Sequence, residues 1–158
     1  MTVLSDTAAA LLARIEARNA RAGVIGLGYV GLPLAMTLAD AGLSVTGFDI
    51  DPGKITAILG GQSYIEAVSS DRLAAAVAAG KLDASSDLAR LAECDVITIC
   101  VPTPLSPHRD PDLSFVETTT RDIARVLRPG QLVVLESTTW PGTTDSVVRP
   151  ILETSGLV

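Results

Sequence analysis

The sequence predicts an α/β domain, a doubly wound parallel sheet with helices on both faces. Three observations predict it. Short apolar runs alternate with helix-period segments along the whole chain, an order that builds parallel strands through right-handed crossovers. Hydrophobic residues make up 47% of the chain and aromatic residues only 3%, so the core is aliphatic, as it is where strands are buried on both faces. Three glycines, Gly26, Gly28 and Gly31, stand in G-x-G-x-x-G spacing within "VIGLGYVGLPLA" (24–35), where a strand should give way to a helix. With 158 residues, no internal repeat and no long linker, the chain reads as one domain with a real core.

The elements follow in order. Residues 5–20 read as a helix, capped by Ser5 or Asp6, with Leu11, Leu12 and Ile15 as its apolar stripe. Residues 22–25 form a short strand. A helix over 29–41 follows, with Pro33 tolerated near its start and Gly42 as its stop. Residues 44–48 form the second strand, closed by Asp49. Asp51-Pro52 is an N-cap followed by a proline at the first helical position, so a helix starts there and stops near Gly60-Gly61. Residues 71–79 are helical and 82–85 a short strand. Asp87 opens a helical turn or two. "DVITICV" (95–101) is the clearest buried strand, and the loop after it carries Pro102, Pro104, Pro107 and Pro111. A helix over 114–127 stops at Pro129-Gly130. Residues 131–135 are a strand, 143–154 a helix, and 156–158 the start of a further strand.

Charge excludes some partners. Twelve basic against eighteen acidic residues give a net charge of −6. There is no Lys/Arg run, so neither nucleic acid nor an anionic membrane is expected as a partner. A small anionic ligand remains open, because helix N-termini bind phosphate without basic side chains. The first twenty residues lack the basic-then-apolar order of a signal peptide, and Asp40 ends the apolar stretch 30–38 well short of a membrane span. The chain reads as cytoplasmic.

A bare G-x-G-x-x-G serves packing as readily as binding. Here it follows a strand and opens a helix. Gly26 permits the tight turn, Gly28 lets a pyrophosphate approach the backbone, and Gly31 lets the helix sit close to the sheet. Asp49 closes the second strand 18 residues after Gly31, where an acid accepts hydrogen bonds from ribose hydroxyls. A Rossmann-like dinucleotide site follows. A carboxylate at Asp49 would repel the 2′-phosphate of NADP, and Lys54 is the only cation nearby, so NAD is the expected cofactor.

Ligands of open parallel sheets bind at the carboxyl ends of the strands, and those ends are unusual here. One leads into Pro102-Thr103-Pro104, another into "ESTTWPG" (136–142). Taken with "GVIGLGYVGLPLA" (23–35), "GFDID" (47–51), "GQSYIE" (61–66), "CDVITICVPTPL" (94–105), "PDLSFV" (111–116) and "LESTTWPGTTD" (135–145), the chain resembles the nucleotide-sugar 6-dehydrogenases. "SYIE", "VPTPL" with "PDLS", and "ESTTWPGTT" look most like the UDP-N-acetylglucosamine or UDP-N-acetylmannosamine branch.

The resemblance implies an oxidoreductase of polysaccharide biosynthesis. It oxidises the C6 hydroxyl of a UDP-sugar to a carboxylate with two NAD, through a cysteine-bound intermediate. It implies that Gly28, Tyr29, Val30, Asp49 and Lys54 line the adenosine and pyrophosphate, with Gly26 and Gly31 shaping the turn. Pro102, Thr103 and Pro104 would flank the nicotinamide side, and Ser137 and Thr138 would sit beside cofactor and sugar. Thr138 would order a water or relay a proton, and Tyr64, Ile65 and Glu66 would face the substrate. Residues 1–21 would be a leading helix packed on the domain and 22–158 the NAD-binding domain itself. Members of the family are homo-oligomers of several hundred residues, with the catalytic cysteine beyond the first domain.

The residues themselves point away from a nucleophile in this chain. Cys100 lies in an apolar strand, where a thiol is a small hydrophobe. Cys94 stands between Glu93 and Asp95, whose charges disfavour a thiolate. The two thiols cannot readily pair, since six strand residues span roughly 20 Å. His108, the only histidine, reads as a solvated loop residue, and no metal site is expected. The chain alone is expected to bind NAD without catalysing. Two other readings stand beside this one. The glycine motif alone also fits a Rossmann dehydrogenase of the hydroxyacid or phosphogluconate kind, against which "PTP" and "ESTTWPG" argue. A free-standing, non-catalytic NAD-binding module is the other.

Overall fold

The computed structural model describes residues 5–105 and 111–157. Its elements are α1 (Asp6–Glu16), β1 (Arg21–Ile25), α2 (Gly31–Asp40), β2 (Ser44–Phe48), α3 (Pro52–Leu59), α4 (Ser70–Ala78), β3 (Leu82–Ser85), β4 (Val96–Ile99), α5 (Ser114–Val126), β5 (Leu132–Leu135) and α6 (Arg149–Glu153). A 3-10 helix, Leu88–Glu93, precedes β4, and a wider π-type turn, Thr144–Val148, leads into α6.

The sheet runs in the order β3-β2-β1-β4-β5, and every pair of strands is parallel. The order reverses between β1 and β4, so the carboxyl ends of these two strands flank a crevice where ligands of such sheets bind. Strand residues alternate between two apolar layers. Ala22, Val24 and Val45 face the layer built with Leu32, Met36, Ile58 and Leu73. Ile25, Phe48, Ile97 and Ile99 face the other, with Leu91, Cys94 and Ile123. Both faces are covered, as the aliphatic composition predicts. Among the described residues no helix is long and apolar enough to cross a membrane.

Sequence-legible caps hold the early helices. The Ser5 hydroxyl accepts from the Ala8 N–H, the Asp51 carboxylate from Gly53, and the Ser69 hydroxyl from Arg72. The differences from expectation have local causes. α1 ends at Glu16 because Arg18 takes a left-handed φ of 58° and the chain turns into β1. Its stripe is only partly covered; no residue of α1 is buried, and Leu12 lies exposed. α2 begins at Gly31 rather than at position 29, because residues 28–30 complete the turn out of β1. β4 spans only 96–99: Asp95 precedes it as an anchor, and after Ile99 the chain bends toward Pro102. Residues 156 and 157 form no strand, and Val158 lies outside the described residues, as do His108 and Pro107.

Candidate cofactor site

The turn after β1 is built from the three glycines, for three different reasons. Gly26 has a φ of 91°, and a β-carbon there would sit 2.6 Å from the carbonyl oxygen of Cys100, just past the end of β4. Gly31 lies against the Gly26 carbonyl, which a β-carbon would overlap. These two are explained by the fold itself. Gly28 is not: its φ is ordinary, and a β-carbon there would meet nothing within 4 Å. The backbone at Gly28 borders open space that only a close-approaching ligand gives a reason to keep clear.

The donors around that space are free. Among the described residues the N–H groups of Gly28, Tyr29 and Val30 have no protein acceptor. α2 has no side-chain cap at Val30 and no acid in its first turn. Its positive end is therefore turned outward, as an anion site requires. Tyr29 is 83% exposed and Val30 59%; both stand at the mouth of the turn.

Asp49 sits at the end of β2 with its side chain only 7% exposed. Its Oδ2 accepts from the Leu27 N–H at 2.9 Å and from Lys54 Nζ at 2.8 Å, and its Oδ1 accepts from the Asp51 N–H at 3.0 Å. Burial pushes this carboxyl upward, but the Lys54 ammonium and the two N–H groups outweigh it and hold it below the usual value. The acid is therefore ionised and pinned beside the glycine turn. Oδ1 takes a single N–H and retains accepting capacity, so a pair of ribose hydroxyls suits it.

Leu27, which the sequence did not single out, is the hinge pin of this arrangement. Its side chain is wholly buried and fills the room left by Gly47, where a β-carbon would come within 2.7 Å. A glycine inside a strand was the signal that could have found it. Tyr64 turns its hydroxyl inward and donates to the Leu27 carbonyl at 2.8 Å. Burial, then Asp49 and Asp51, push its phenol up to about 12, so it stays a donor. Ile65, expected toward the substrate, is buried in the core. It reaches only the floor of an open cleft of about 380 Å³ shared with Tyr29, Glu66 and Ala67. Of the three, Glu66 alone directs an exposed charge outward.

The ends of β4 and β5 are stitched together beside the turn. The Glu136 N–H donates to the Ile99 carbonyl at 2.9 Å, Ser137 Oγ to the Val101 carbonyl at 2.8 Å, and Thr103 Oγ1 to the Thr138 carbonyl at 2.8 Å. The hydroxyl protons of Ser137 and Thr103 are thus spent on the scaffold, while Thr138 is exposed. Pro102 and Pro104 are exposed at the same edge. Cys100 lies beneath the glycine turn, and burial followed by Glu136 pushes its thiol up to about 11. Cys94 is buried on the other layer and raised to about 11 by burial, then by Glu93. Neither is a thiolate at neutral pH.

A parallel sheet with this order, a glycine turn with free donors and an acid at the end of the second strand together define a Rossmann-type dinucleotide-binding domain. Comparison with known proteins takes the assignment further. Residues 20–157 match the description "UDP-glucose/GDP-mannose dehydrogenase family, NAD binding domain". The chain is 41% identical to the UDP-N-acetyl-D-mannosamine dehydrogenase of Pyrococcus horikoshii over 87% of its own length and 33% of that protein. It is 37% identical to a UDP-N-acetyl-D-glucosamine 6-dehydrogenase of Pseudomonas aeruginosa over 86% of its length and 31% of that protein. The crystal structure of a ternary complex of GDP-mannose dehydrogenase from Pseudomonas aeruginosa superposes with a TM-score of 0.80 at 35% identity, covering 85% of this chain and 32% of that one. The chain belongs to the UDP-glucose/GDP-mannose dehydrogenase family, of which it carries the NAD-binding domain. It spans about a third of the length of the curated relatives it matches.

Proposed function

We propose that this domain presents NAD in a dehydrogenase that oxidises the C6 hydroxyl of a UDP-N-acetylhexosamine to a carboxylate, two NAD being consumed per sugar. The observation that carries the cofactor reading is the clear space at Gly28, bordered by free N–H groups. The names of the relatives at 41% and 37% identity support the sugar class.

In this reading the N–H groups of Gly28, Tyr29 and Val30 and the positive end of α2 hold the pyrophosphate. Asp49 accepts from the adenosine ribose hydroxyls, and Lys54 neutralises part of its charge. Pro102, Thr103 and Pro104 border the nicotinamide side, held in place through Thr138 and Ser137. NAD supplies the hydride acceptor. The exposed Thr138 hydroxyl orders a water or passes a proton near the sugar, and Glu66 faces the substrate side. The two free thiols suit a cytoplasmic protein.

The domain alone binds without turning over. Oxidation to the acid needs an activated nucleophile to hold the aldehyde stage, and the thiols of this chain, Cys94 buried and Cys100 half-buried, are both pushed up by burial and protonated. Titration calorimetry should find NAD binding tighter than NADP binding, because Asp49 repels a 2′-phosphate. Absorbance at high protein concentration should find no NADH with UDP-N-acetylglucosamine, UDP-N-acetylmannosamine or UDP-glucose. Equal NADP affinity would overturn the role of Asp49. NADH formation abolished by Cys100→Ala would overturn the reading of the thiols.

A further inference from the structure

We propose that Tyr64 is a positioning residue for the cofactor site, acting through the Leu27–Gly28 peptide; the proposal rests on the NAD reading above. The geometry is a three-point clamp. The Leu27 N–H donates to Asp49, its carbonyl accepts from the Tyr64 hydroxyl, and its side chain is locked into the space at Gly47. No freedom is left at Leu27 for the following peptide to rotate.

That peptide is trans, as are all those described. In a trans peptide the C=O and the N–H point in opposite directions. Fixing the Leu27 carbonyl on Tyr64 therefore aims the Gly28 N–H away from Tyr64, toward the open side of the turn. A donor that is already aimed loses no orientational freedom when an anion arrives. The hydrogen bond on the carbonyl also polarises the same amide and strengthens its N–H as a donor. Tyr64 thus serves the pyrophosphate from beneath. The brace that holds the turn is the Tyr64 hydroxyl alone; Ile65 and Val68, further along the same segment, pack into the core away from it.

The test uses Tyr64→Phe, which removes the hydroxyl alone. Val68→Ala serves as a control that loosens the same segment from its core side without touching the turn. Titration calorimetry is run well below both melting temperatures. Tyr64→Phe should weaken NAD about three- to tenfold, the worth of one net hydrogen bond, while Val68→Ala keeps wild-type affinity. In ligand-free protein, the ¹⁵N–¹H resonance of Gly28 should move upfield in Tyr64→Phe and stay in place in Val68→Ala. Wild-type NAD affinity in Tyr64→Phe, an unmoved Gly28 resonance, or an equal loss in Val68→Ala would overturn the proposal. A wild-type chain without NAD affinity would overturn the cofactor reading and this proposal together, which separates the two failures.

Discussion

Two aspartates with buried carboxylates stand at opposite ends of the parallel strands, Asp95 before β4 and Asp49 after β2, and are held in opposite ways. Asp95, just before β4, is 1% exposed. Its Oδ1 accepts from Arg14 Nη1 and Arg128 Nη2, both at 2.6 Å, and its Oδ2 from the Arg21 N–H at 2.8 Å. Arg128 goes on to donate to the carbonyls of Ala92 and Cys94, so the network closes on itself and ties α1, β1, β4 and the loop before β5 together. Asp49, at the carboxyl end of the strands, has one ammonium and two N–H groups, and open solvent beside it at Ile50 and Asp51. A carboxylate saturated by planar, bidentate-capable guanidinium groups is a fastener. One held by a single ammonium beside free backbone donors keeps accepting capacity, as the proposed ribose contact requires. The same residue type is closed off as structure or left open to a further partner by what is unsatisfied around it.

The largest expected effect breaks the fastener. Asp95→Ala removes the acceptor of two guanidinium groups and one backbone N–H. Breaking a buried pair costs about 3–5 kcal/mol; Arg14 is half exposed and regains water, so about 3 kcal/mol is expected, or a melting temperature lower by roughly 10 °C. NAD affinity of the folded variant should not change. Thermal unfolding with calorimetry checks both halves. A shift under 2 °C would mean that the network is dispensable, and a lost NAD affinity would mean that the two ends of the sheet are coupled.

Gly28→Val attacks the proposed cofactor site instead. The space at Gly28 is open, and its φ suits any residue, so stability should change by less than about 1 kcal/mol. A valine there fills the approach to the backbone, and NAD affinity should fall about a hundredfold, equivalent to about 2.7 kcal/mol. The same change at Gly31 would collide with the Gly26 carbonyl and unfold the turn. Calorimetry on the folded Gly28→Val protein decides between the ligand and the packing readings of this glycine.

What the sequence disclosed divides along the same line. The strand–turn–helix around Gly26, Gly28 and Gly31, the acid at Asp49 and the Asp51-Pro52 cap are written in residues close together, so local rules reach them. β2 and β3 fall where their apolar runs and flanking glycines place them. The Asp95 network was not legible, because its partners lie 33, 74 and 81 residues away. The contact of Tyr64 with Leu27 spans 37 residues; the family resemblance placed Tyr64 toward substrate, and no pattern in the sequence turns its hydroxyl inward. The stripe of α1 was read correctly as apolar, and the structure half-buries Leu11 and Ile15 while leaving Leu12 exposed. Periodicity reports which face is apolar, whereas burial depends on what packs there.

The smallest expected effect probes the one charged partner that Asp49 has among the described residues. Lys54 Nζ lies 2.8 Å from Asp49 Oδ2, with the lysine side chain one-third exposed. A pair of that exposure contributes less than about 1 kcal/mol, so Lys54→Gln should lower stability by no more than that at pH 7. The sign of its pH dependence is fixed by the depressed carboxyl of Asp49. A group whose folded pKa lies below its unfolded value stabilises the fold above the unfolded value, about 3.9, and loses that contribution as pH falls through the folded value. The gap between wild type and Lys54→Gln should therefore be constant from pH 7 to about 5 and close below pH 4. Removing the ammonium also leaves Asp49 with its full negative charge toward a ligand. NADP should be rejected more strongly than before, and the NAD to NADP affinity ratio should rise severalfold even though neither ligand gains a contact. Denaturant unfolding across pH, paired with calorimetry on both dinucleotides, measures the two consequences separately. A stability gap that persists at pH 3 would show that Lys54 acts through its hydrocarbon stem rather than through Asp49. An unchanged ratio would show that Asp49 meets the ribose with its charge already screened.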